Sequence, residues 1–295
     1  MLRNITFIGL GVMGFPMAGH LANSDHPVTV YNRTFAKAKR WSQIYSGTAC
    51  EDAKESVKNA DVVVSCLSDD QSLVDMFLGD NGLLPIIPKK ATLIDHTTAS
   101  AEIARTLYAK SKALDIYFID APVSGGEQGA INGGLTTMCG GERSAFDNCK
   151  EIMACYSQAV TLMGPSGAGQ LTKMVNQITL AGLIQGLAEG LHFAENAKLD
   201  PTKVIEVIAK GAAQSWQMDN RHKTMIKAEY NHGFAVELMR KDLGICLAEA
   251  RKNNSTLPVT ALVDQFYSDI QALGGNRWDT SSLLERLRKN IHNSS

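Results

Sequence analysis

The chain has 295 residues, with 29 Lys and Arg against 30 Asp and Glu, and 44% of its residues are hydrophobic. This composition excludes intrinsic disorder as the main state, because the chain carries enough apolar side chains for a packed core. A net charge of −1 provides no broad positive field, so we expect no nucleic-acid partner. The length fits one large domain or two of ordinary size.

No segment is apolar enough to span a bilayer, since even Met174–Leu191 contains amides and a glutamate. The chain begins directly with a strand pattern rather than with a charged and then apolar leader. None of the six cysteines forms a Cys-x-x-Cys pair, and the seven histidines show no metal-ligand spacing. We therefore expect no membrane partner, no metal site, reduced thiols and a cytoplasmic location.

Strand and helix signals alternate along the first part of the chain. Apolar and β-branched runs predict strands at Ile5–Leu10, Val28–Asn32, Asp61–Leu67, Ala91–Asp95 and Ile116–Asp120. Helical patterns predict helices at Met13–Asn23, Ala36–Ile44, Ser100–Ala113 and Arg143–Tyr156. This alternation predicts an α/β fold with a doubly wound, mostly parallel sheet of the Rossmann type.

The pattern changes at the Gly/Pro/Ser-rich segment Met163–Gly169. The apolar segment Gln170–Lys198 then predicts a long, buried central helix that starts near residue 168. Further helices are predicted at Pro201–Lys210, Ala235–Asn253, Pro258–Leu273 and Ser281–Lys289. We expect a nucleotide-binding domain at residues 1–164 and an all-α domain for substrate binding and oligomerisation at residues 165–295.

A glycine-rich turn, Gly9-Leu-Gly11-Val-Met-Gly14, follows the first predicted strand and opens the first predicted helix. In such a turn the first glycine permits a tight bend, the second lets the backbone approach a pyrophosphate, and the third allows close helix–strand packing. The helix N-terminus adds N–H donors and the positive end of the helix dipole. The pattern predicts a dinucleotide site formed by Gly9, Leu10, Gly11, Val12, Met13 and Gly14.

The end of the second strand bears on the choice between the two nicotinamide cofactors. NAD sites usually carry an acid there that binds the ribose hydroxyls, but no acid occurs from Val28 to Arg40. An arginine can bind a 2′-phosphate through two N–H groups, and a hydroxyl and a further positive charge lie close in sequence. The residues Asn32, Arg33, Thr34 and Lys37 therefore predict NADP(H) as the preferred cofactor, with NAD(H) as the alternative.

Four separated motifs connect the chain to a known family: Phe7–Gly14, Asp120–Gly126, Gly169–Asn176 and Lys241–Leu247. In this order and spacing the chain resembles the β-hydroxyacid dehydrogenases. That family includes 3-hydroxyisobutyrate dehydrogenase, tartronate semialdehyde reductase and glyoxylate/succinic semialdehyde reductase. The resemblance covers nearly the whole chain and implies an NAD(P)-dependent oxidoreductase that acts on CH–OH groups.

Lys173 is the strongest candidate for a catalytic residue. It shares one helix face with Asn176 and Gln177 in an otherwise apolar segment, and such a polar face needs a polar partner. The resemblance implies that Lys173 is the general acid in carbonyl reduction and the base in alcohol oxidation, and that Asn176 orients the reacting oxygen. Gln177 stands where the family usually has a second asparagine. His96 directly follows the predicted strand Ala91–Asp95, and we interpret it as a packing residue.

The remaining site residues follow from the resemblance and from their places at strand ends. A serine and two glycines after a strand can hold a carboxylate through their hydroxyl and N–H groups, and the resemblance assigns Ser124, Gly125 and Gly126 to the substrate carboxylate. It assigns Thr98 to the cofactor near the nicotinamide ribose, and Leu67 and Ser68 lie on the same rim. In the helical half it places Lys241 at the cofactor, Asp242 near the substrate or Lys173, and Phe234 where it closes the pocket.

These residues predict a reversible NADP(H)-dependent reductase of small carboxylated aldehydes, such as glyoxylate or succinic semialdehyde. The first alternative is an NAD-dependent dehydrogenase of the 3-hydroxyisobutyrate or tartronate semialdehyde type. An imine reductase of the same fold is disfavoured by Lys173, because those relatives typically carry Asp or Tyr there. A non-catalytic nucleotide-binding protein is disfavoured by the intact set of Lys173, Asn176 and Ser124. The partners expected are the small substrate and further copies of the chain, as a homodimer or homotetramer.

Overall fold

A mostly parallel sheet organises the first half of the chain in the computed structural model, which describes residues 2–289. The strands run in the spatial order β3-β2-β1-β4-β5-β6-β8-β7, and β9 pairs with β8. Pairing is parallel from β3 to β6 and antiparallel where β6 and β7 meet β8. The strands are β1 (Ile5–Ile8), β2 (Val28–Tyr31), β3 (Thr48–Cys50), β4 (Val62–Ser65), β5 (Thr92–Asp95), β6 (Tyr117–Asp120), β7 (Val123–Ser124), β8 (Leu135–Gly141) and β9 (Ser157–Gly164).

Helices connect these strands, and α8 continues from the first of two compact units, Met1–Lys173, into the second, Met174–Ser295. The first unit contains α1 (Gly14–Asn23), α2 (Phe35–Ser42), α3 (Ala53–Val57), α4 (Asp70–Leu73), α5 (Ala101–Ala113), α6 (Gly126–Ile131) and α7 (Arg143–Ala154). A π-helical turn extends α4 over Val74–Leu78, and a 3₁₀ turn covers Leu84–Ile86. The second unit contains most of α8 (Ala168–Asn196), then α9 (Pro201–Ile208), α10 (Trp216–Ile226), α11 (Val236–Asn253), α12 (Pro258–Ala272) and α13 (Leu283–Arg288), with a 3₁₀ turn at Thr280–Ser282.

The sheet is central because its inner strands are buried on both faces. All four residues of β1, β4 and β5 are buried, as the continuous apolar runs of a parallel sheet require. One apolar layer contains Trp41 and Tyr156, and the opposite layer contains Phe77 and Leu107. Helices on both faces therefore complete a doubly wound α/β unit, which confirms the predicted fold class together with the helical C-terminal region.

The second unit packs its helices around an apolar core of its own, which includes Ile184, Met239 and Tyr267. α9 begins at Pro201 after Asp200, whose carboxylate accepts hydrogen bonds from two N–H groups of the first turn. None of the helices within residues 2–289 is long and apolar enough to cross a membrane.

Several elements have no clear signal in the sequence pattern. α10 is mostly polar and buries only Met218, His222 and Met225, so its apolar face is narrow. β9 is largely exposed, and β8 ends in two glycines, so neither has the apolar run typical of the inner strands. These elements form because neighbouring elements pair with them or cover them, which a local pattern does not report.

Gly14 provides a test of the packing between β1 and α1. A Cβ at this buried position would clash with the carbonyl oxygen of Gly9 and lie 2.9 Å from the Phe7 ring. We expect Gly14→Ala to lower the free energy of unfolding by about 2 kcal/mol, as overpacking does. The matched control is Gly244→Ala in α11, where the added methyl meets open space. That variant should gain about 0.5–1 kcal/mol from helix propensity. Urea unfolding compares the two, and equal effects would contradict the packing argument.

Candidate nucleotide and catalytic site

The predicted cofactor residues of the first unit lie at or next to one edge of the sheet. Because β1, β2, β4 and β5 are parallel, their carboxyl ends point the same way. β1 has β2 on one side and β4 on the other, which is the switch point where open α/β sheets bind nucleotides. The structure therefore brings together the segments after these strands, which contain Gly9, Asn32, Leu67 and Thr98.

The three glycines of the first turn differ in what requires a glycine at each position. Gly9 adopts a φ of +97°, and a Cβ there would clash with the carbonyl oxygen of Cys66. Gly14 is required by its contact with β1. Gly11 has open space where a Cβ would lie, so no protein atom of residues 2–289 accounts for a glycine at this position.

The start of α1 fits the phosphates of a dinucleotide. Gly11 and Val12 are exposed, Met13 at the N-cap forms no side-chain capping bond, and the first turn contains no acid. Backbone N–H groups and the positive end of the helix dipole thus point toward a surface that an anion can approach.

Asn32 ties the glycine loop to the end of β2. Its Oδ1 accepts a hydrogen bond from the Leu10 N–H at 2.9 Å, and its Nδ2 donates to the Thr34 carbonyl at 3.0 Å. Arg33 and Thr34 are exposed at the start of α2, and the Thr34 hydroxyl does not cap that helix. Within residues 2–289, no acidic side chain forms an ion pair with Arg33 or Lys37. This end of β2 is therefore positively charged and accessible.

A buried aspartate fixes the loops after β4 and β5. Asp95 Oδ1 accepts hydrogen bonds from Ser65 Oγ at 2.8 Å and from Thr97 Oγ1 at 2.7 Å. Thr97 Oγ1 in turn accepts the Leu67 N–H at 2.9 Å. Burial raises the pKa of the Asp95 carboxyl to about 7, against the lowering effect of these bonds. The network holds the segments that carry the predicted contacts Leu67 and Thr98, while Ser68 is exposed beside them.

His96 is fully engaged within the first unit. The Ala121 carbonyl lies 2.6 Å from Nδ1 and can only accept, so Nδ1 carries the proton and Nε2 accepts from the Tyr156 hydroxyl at 2.8 Å. Burial lowers the pKa of His96 to about 4, so the ring is neutral at physiological pH. Both nitrogens therefore bond inside the protein.

The segment predicted to hold a carboxylate begins at Ser124, the last residue of β7. Gly125 and Gly126 adopt φ angles of +134° and +62°, both are exposed, and Ser124 is half-buried. A Cβ at Gly126 would meet open space, so the turn presents accessible backbone. Glu127 lies in the first turn of α6, so hydrogen-bond donors rather than net positive charge would have to hold an anion here.

Lys173 lies near the start of α8, with an exposed fraction of 8%. The first turn of this helix is bonded to the sheet. Asp120, at the end of β6, accepts the Gly167 N–H at 2.7 Å and the Gln170 N–H at 3.1 Å. Gln170 donates from Nε2 to the Thr97 carbonyl at 2.7 Å and accepts the Ala99 N–H at 3.1 Å. Lys173 therefore projects from a helical turn with a fixed position on the first unit.

A chain of polar contacts in the second unit contains four of the predicted residues. Asn176 Nδ2 donates to Gln177 Oε1 at 2.8 Å, and Gln177 Nε2 donates to Asp242 Oδ2 at 2.6 Å. Lys241 Nζ lies 3.2 Å from the other Asp242 oxygen, an ion pair without hydrogen-bond alignment. Gln177 and Asp242 are both buried. The Gln177 amide is thus engaged on both sides.

Phe234 lies in the loop before α11. Its N–H donates to the buried carboxylate of Asp279 at 2.8 Å, and its ring is partly buried against the helical core. Asp279 also lies 3.2 Å from Arg221 Nε, so its charge is compensated. The backbone of Phe234 is therefore held by the buried carboxylate of Asp279, which forms an ion pair with the half-buried Arg221.

Asp95, Thr97, Asp120 and Gln170 were not predicted as site residues. Both aspartates end buried apolar strands, and a carboxylate at such a place needs hydrogen-bond donors, so this signal could have indicated them. Gln170 has no comparable local signal, because its partners lie far away in the sequence. Among residues 2–289, no group of three or more His, Cys, Asp and Glu side chains is arranged to hold a metal ion.

Two family models match the chain. The NAD-binding domain of 6-phosphogluconate dehydrogenase matches residues 4–164, and the NAD-binding region of NADP-dependent 3-hydroxyisobutyrate dehydrogenase matches residues 167–287. Together they cover both the sheet-containing part and the helical part.

Similar proteins cover nearly the full chain. An uncharacterized oxidoreductase of Shewanella frigidimarina (strain NCIMB 400) is 58% identical, over 98% of this chain and 99% of the relative. The 2-hydroxy-3-oxopropionate reductase of Escherichia coli K12 is 32% identical, over 95% and 96%. A solved structure of Mycobacterium tuberculosis 3-hydroxyisobutyrate dehydrogenase with L-serine has a TM-score of 0.88 at 26% identity, over 98% of this chain and 100% of that one. The chain belongs to the β-hydroxyacid dehydrogenase family and is an NAD(P)-dependent oxidoreductase that acts on CH–OH groups.

Proposed function

We propose that the protein is an NADP(H)-dependent reductase of small carboxylated aldehydes, such as glyoxylate or succinic semialdehyde, and that it also oxidises the corresponding hydroxy acids. The observation that carries this proposal is the buried Lys173, which lies in a helical turn that is hydrogen-bonded to the carboxyl edge of the sheet. A buried lysine is stable only where its amine has polar partners, and a carbonyl oxygen that receives its proton would be one such partner.

The residues divide the work between binding, orientation and proton transfer. A bound nicotinamide supplies the hydride. Lys173 donates the proton to the carbonyl oxygen, Asn176 orients that oxygen, and Ser124 with the N–H groups of Gly125 and Gly126 binds the carboxylate. Such positioning contributes about 7–11 kcal/mol of barrier reduction in favourable cases. Two relatives are named 2-hydroxy-3-oxopropionate reductase and 3-hydroxyisobutyrate dehydrogenase, and these names support the proposed substrate class. The substrates in those two names are the alternatives for this chain.

The NADP(H) preference is supported by the charge at the end of β2. Arg33 and Thr34 are exposed at the N-terminus of α2, whose first turn contains no acid, and Lys37 is exposed one turn later. A 2′-phosphate would gain charge-assisted hydrogen bonds here, whereas a ribose hydroxyl finds no carboxylate to bind.

The domain division is part of the same proposal, with nucleotide binding in residues 1–164 and substrate binding and oligomerisation in residues 165–295. The two family models match residues 4–164 and 167–287, which supports the boundary. Homodimer or homotetramer formation is supported by exposed apolar side chains on α8, namely Val175, Leu183 and Phe193.

Arg33→Asp tests the cofactor preference. The new carboxylate would repel a 2′-phosphate and can bind ribose hydroxyls, so we expect the ratio of kcat/KM for NADPH to that for NADH to fall roughly 10- to 100-fold. Steady-state kinetics with both cofactors measure this ratio. Lys39→Asp makes the same charge change farther along α2 and should alter the ratio less than about twofold. A wild-type preference for NADH would contradict the prediction.

Lys173→Ala tests the proton donor. We expect kcat to fall by roughly 10²- to 10⁴-fold, as the loss of a general acid does, while the NADPH dissociation constant changes less than about twofold. Absorbance at the reduced-nicotinamide band measures turnover, and fluorescence titration measures binding. Lys203→Ala on the exposed side of α9 is the control and should retain full activity. Retained turnover in Lys173→Ala would refute the mechanism.

Paired substrates test the carboxylate site. Succinic semialdehyde and butanal have the same chain length, but only the first carries a carboxylate. We expect kcat/KM with NADPH to be roughly 10- to 100-fold higher for succinic semialdehyde, because hydrogen bonds to a charged group are lost with butanal. Ser124→Ala should reduce this difference by raising KM for the acid alone. Equal kcat/KM values in the wild type would exclude a carboxylate-binding role. The same assay with glyoxylate, tartronate semialdehyde and methylmalonate semialdehyde ranks the carboxylated aldehydes by kcat/KM.

A further inference from the structure

Gln170 forms two hydrogen bonds that bracket Thr98. Its Nε2 donates to the Thr97 carbonyl at 2.7 Å, and its Oε1 accepts the Ala99 N–H at 3.1 Å. Thr97, Ala99 and Gln170 each have an exposed fraction of 1%. The amide side chain thus pairs with the backbone on both sides of the residue that the sequence predicts at the nicotinamide ribose.

Asp120 fixes the same helical turn from the other side. Its two oxygens accept the N–H groups of Gly167 and Gln170, so the backbone and the side chain of Gln170 are both bonded to the first unit. Close packing reinforces this arrangement, because a Cβ at Gly169 would lie 2.6 Å from the Asp120 carbonyl oxygen. The first turn of α8 therefore has little freedom to translate or rotate.

The spacing along the helix transmits this position to Lys173. Residues three apart on a helix lie on the same face in successive turns, so Lys173 follows Gln170 directly. Any displacement of the first turn relative to the segment Thr97–Ala99 displaces the Cα of Lys173, from which its side chain extends, by a similar amount. A misplacement of about 1 Å can reduce a rate roughly 100-fold.

We propose that Gln170 is a positioning residue that sets the place of Lys173 relative to the segment Thr97–Ala99, with Asp120 fixing the helical turn that carries both. This inference rests on the proposed function, in which Lys173 delivers the proton. The amide group is suited to the task because it offers one donor to a carbonyl and one acceptor to an N–H. A hydrocarbon side chain would leave both backbone groups buried and unpaired.

Gln170→Met tests this role, because methionine keeps the length and volume of glutamine but forms neither bond. The matched control is Gln185→Met on the same helix. Gln185 is also buried, with an exposed fraction of 8%, but among the residues that the structure describes it bonds within the helix, to Glu189 Oε1 at 2.6 Å. Three quantities are compared in both variants: amide hydrogen exchange at Ala99 without cofactor, kcat and KM for the aldehyde, and the primary deuterium isotope effect with NADPH labelled at C4.

In Gln170→Met we expect Ala99 exchange to accelerate at least roughly tenfold and kcat to fall roughly 10- to 100-fold. KM for the aldehyde should change less than about threefold, and the isotope effect should rise because hydride transfer becomes rate-limiting. Gln185→Met should match the wild type in all three. A kcat within about twofold of wild type despite lost Ala99 protection would overturn the positioning role. Equal losses of kcat in both variants would overturn it as well, since they would show general helix destabilisation.

The exchange measurement separates this inference from the proposed function. If Lys173→Ala retained turnover, the proton-donor assignment would fail and the positioning role with it. Unchanged protection of the Ala99 N–H in Gln170→Met would refute only the role of the two Gln170 hydrogen bonds. Should Gln170→Met not fold, Gln170→Ala removes the same two bonds without placing a long apolar side chain against the buried backbone groups, and the same outcomes decide.

Discussion

The carboxylate of Asp120 bonds the end of β6 to the first turn of α8, and the placement of the proposed proton donor depends on this contact. The N-terminus of a 29-residue helix carries partial positive charge and unpaired N–H groups, which a carboxylate satisfies. Burial raises the pKa of Asp120 to about 6, while the N–H groups of Gly167 and Gln170 lower it, so the carboxylate is mainly ionised at neutral pH. The contact also requires Gly140, because a Cβ there would lie 2.6 Å from a carboxylate oxygen of Asp120. Residue 140 in β8 therefore has to be a glycine because Asp120 caps α8.

The same principle recurs along the carboxyl edge of the sheet, where single side chains join the loops of neighbouring strands. Asn32 joins the end of β2 to the loop after β1, Thr97 joins the loops after β5 and β4, and Gln170 joins α8 to the loop after β5. Each side chain bonds to backbone N–H or C=O groups of a loop, and at Gln170 both partners are buried and would otherwise lack hydrogen bonds. Loops held in this way are positioned before any ligand arrives, and this reduces the entropy lost on binding.

The glycine turn and the α/β alternation could be predicted because their causes are local. Gly9 has a positive φ and Gly14 packs against Gly9 and Phe7, so these requirements arise within a few residues of the turn. Buried parallel strands likewise have continuous apolar runs. The role of Gln170 could not be predicted, since its partner Ala99 lies 71 positions away and a glutamine is neutral in a helix pattern. β8 and α10 were missed for a related reason, because their strand and helix states depend on tertiary neighbours rather than on their own periodicity.

Gln177 shows how one additional methylene changes the use of an amide. The resemblance leads one to expect a second asparagine here, and the longer side chain reaches Asp242 in α11 at 2.6 Å. Asp242 is buried, and its charge is offset by this N–H donor and by Lys241 at 3.2 Å. Because Gln177 Oε1 also accepts from Asn176, the carboxylate fixes the orientation of the Gln177 amide, and that amide fixes the orientation of Asn176. Glutamine at position 177 therefore forms a hydrogen bond between α8 and α11, and through this bond it controls the orientation of Asn176.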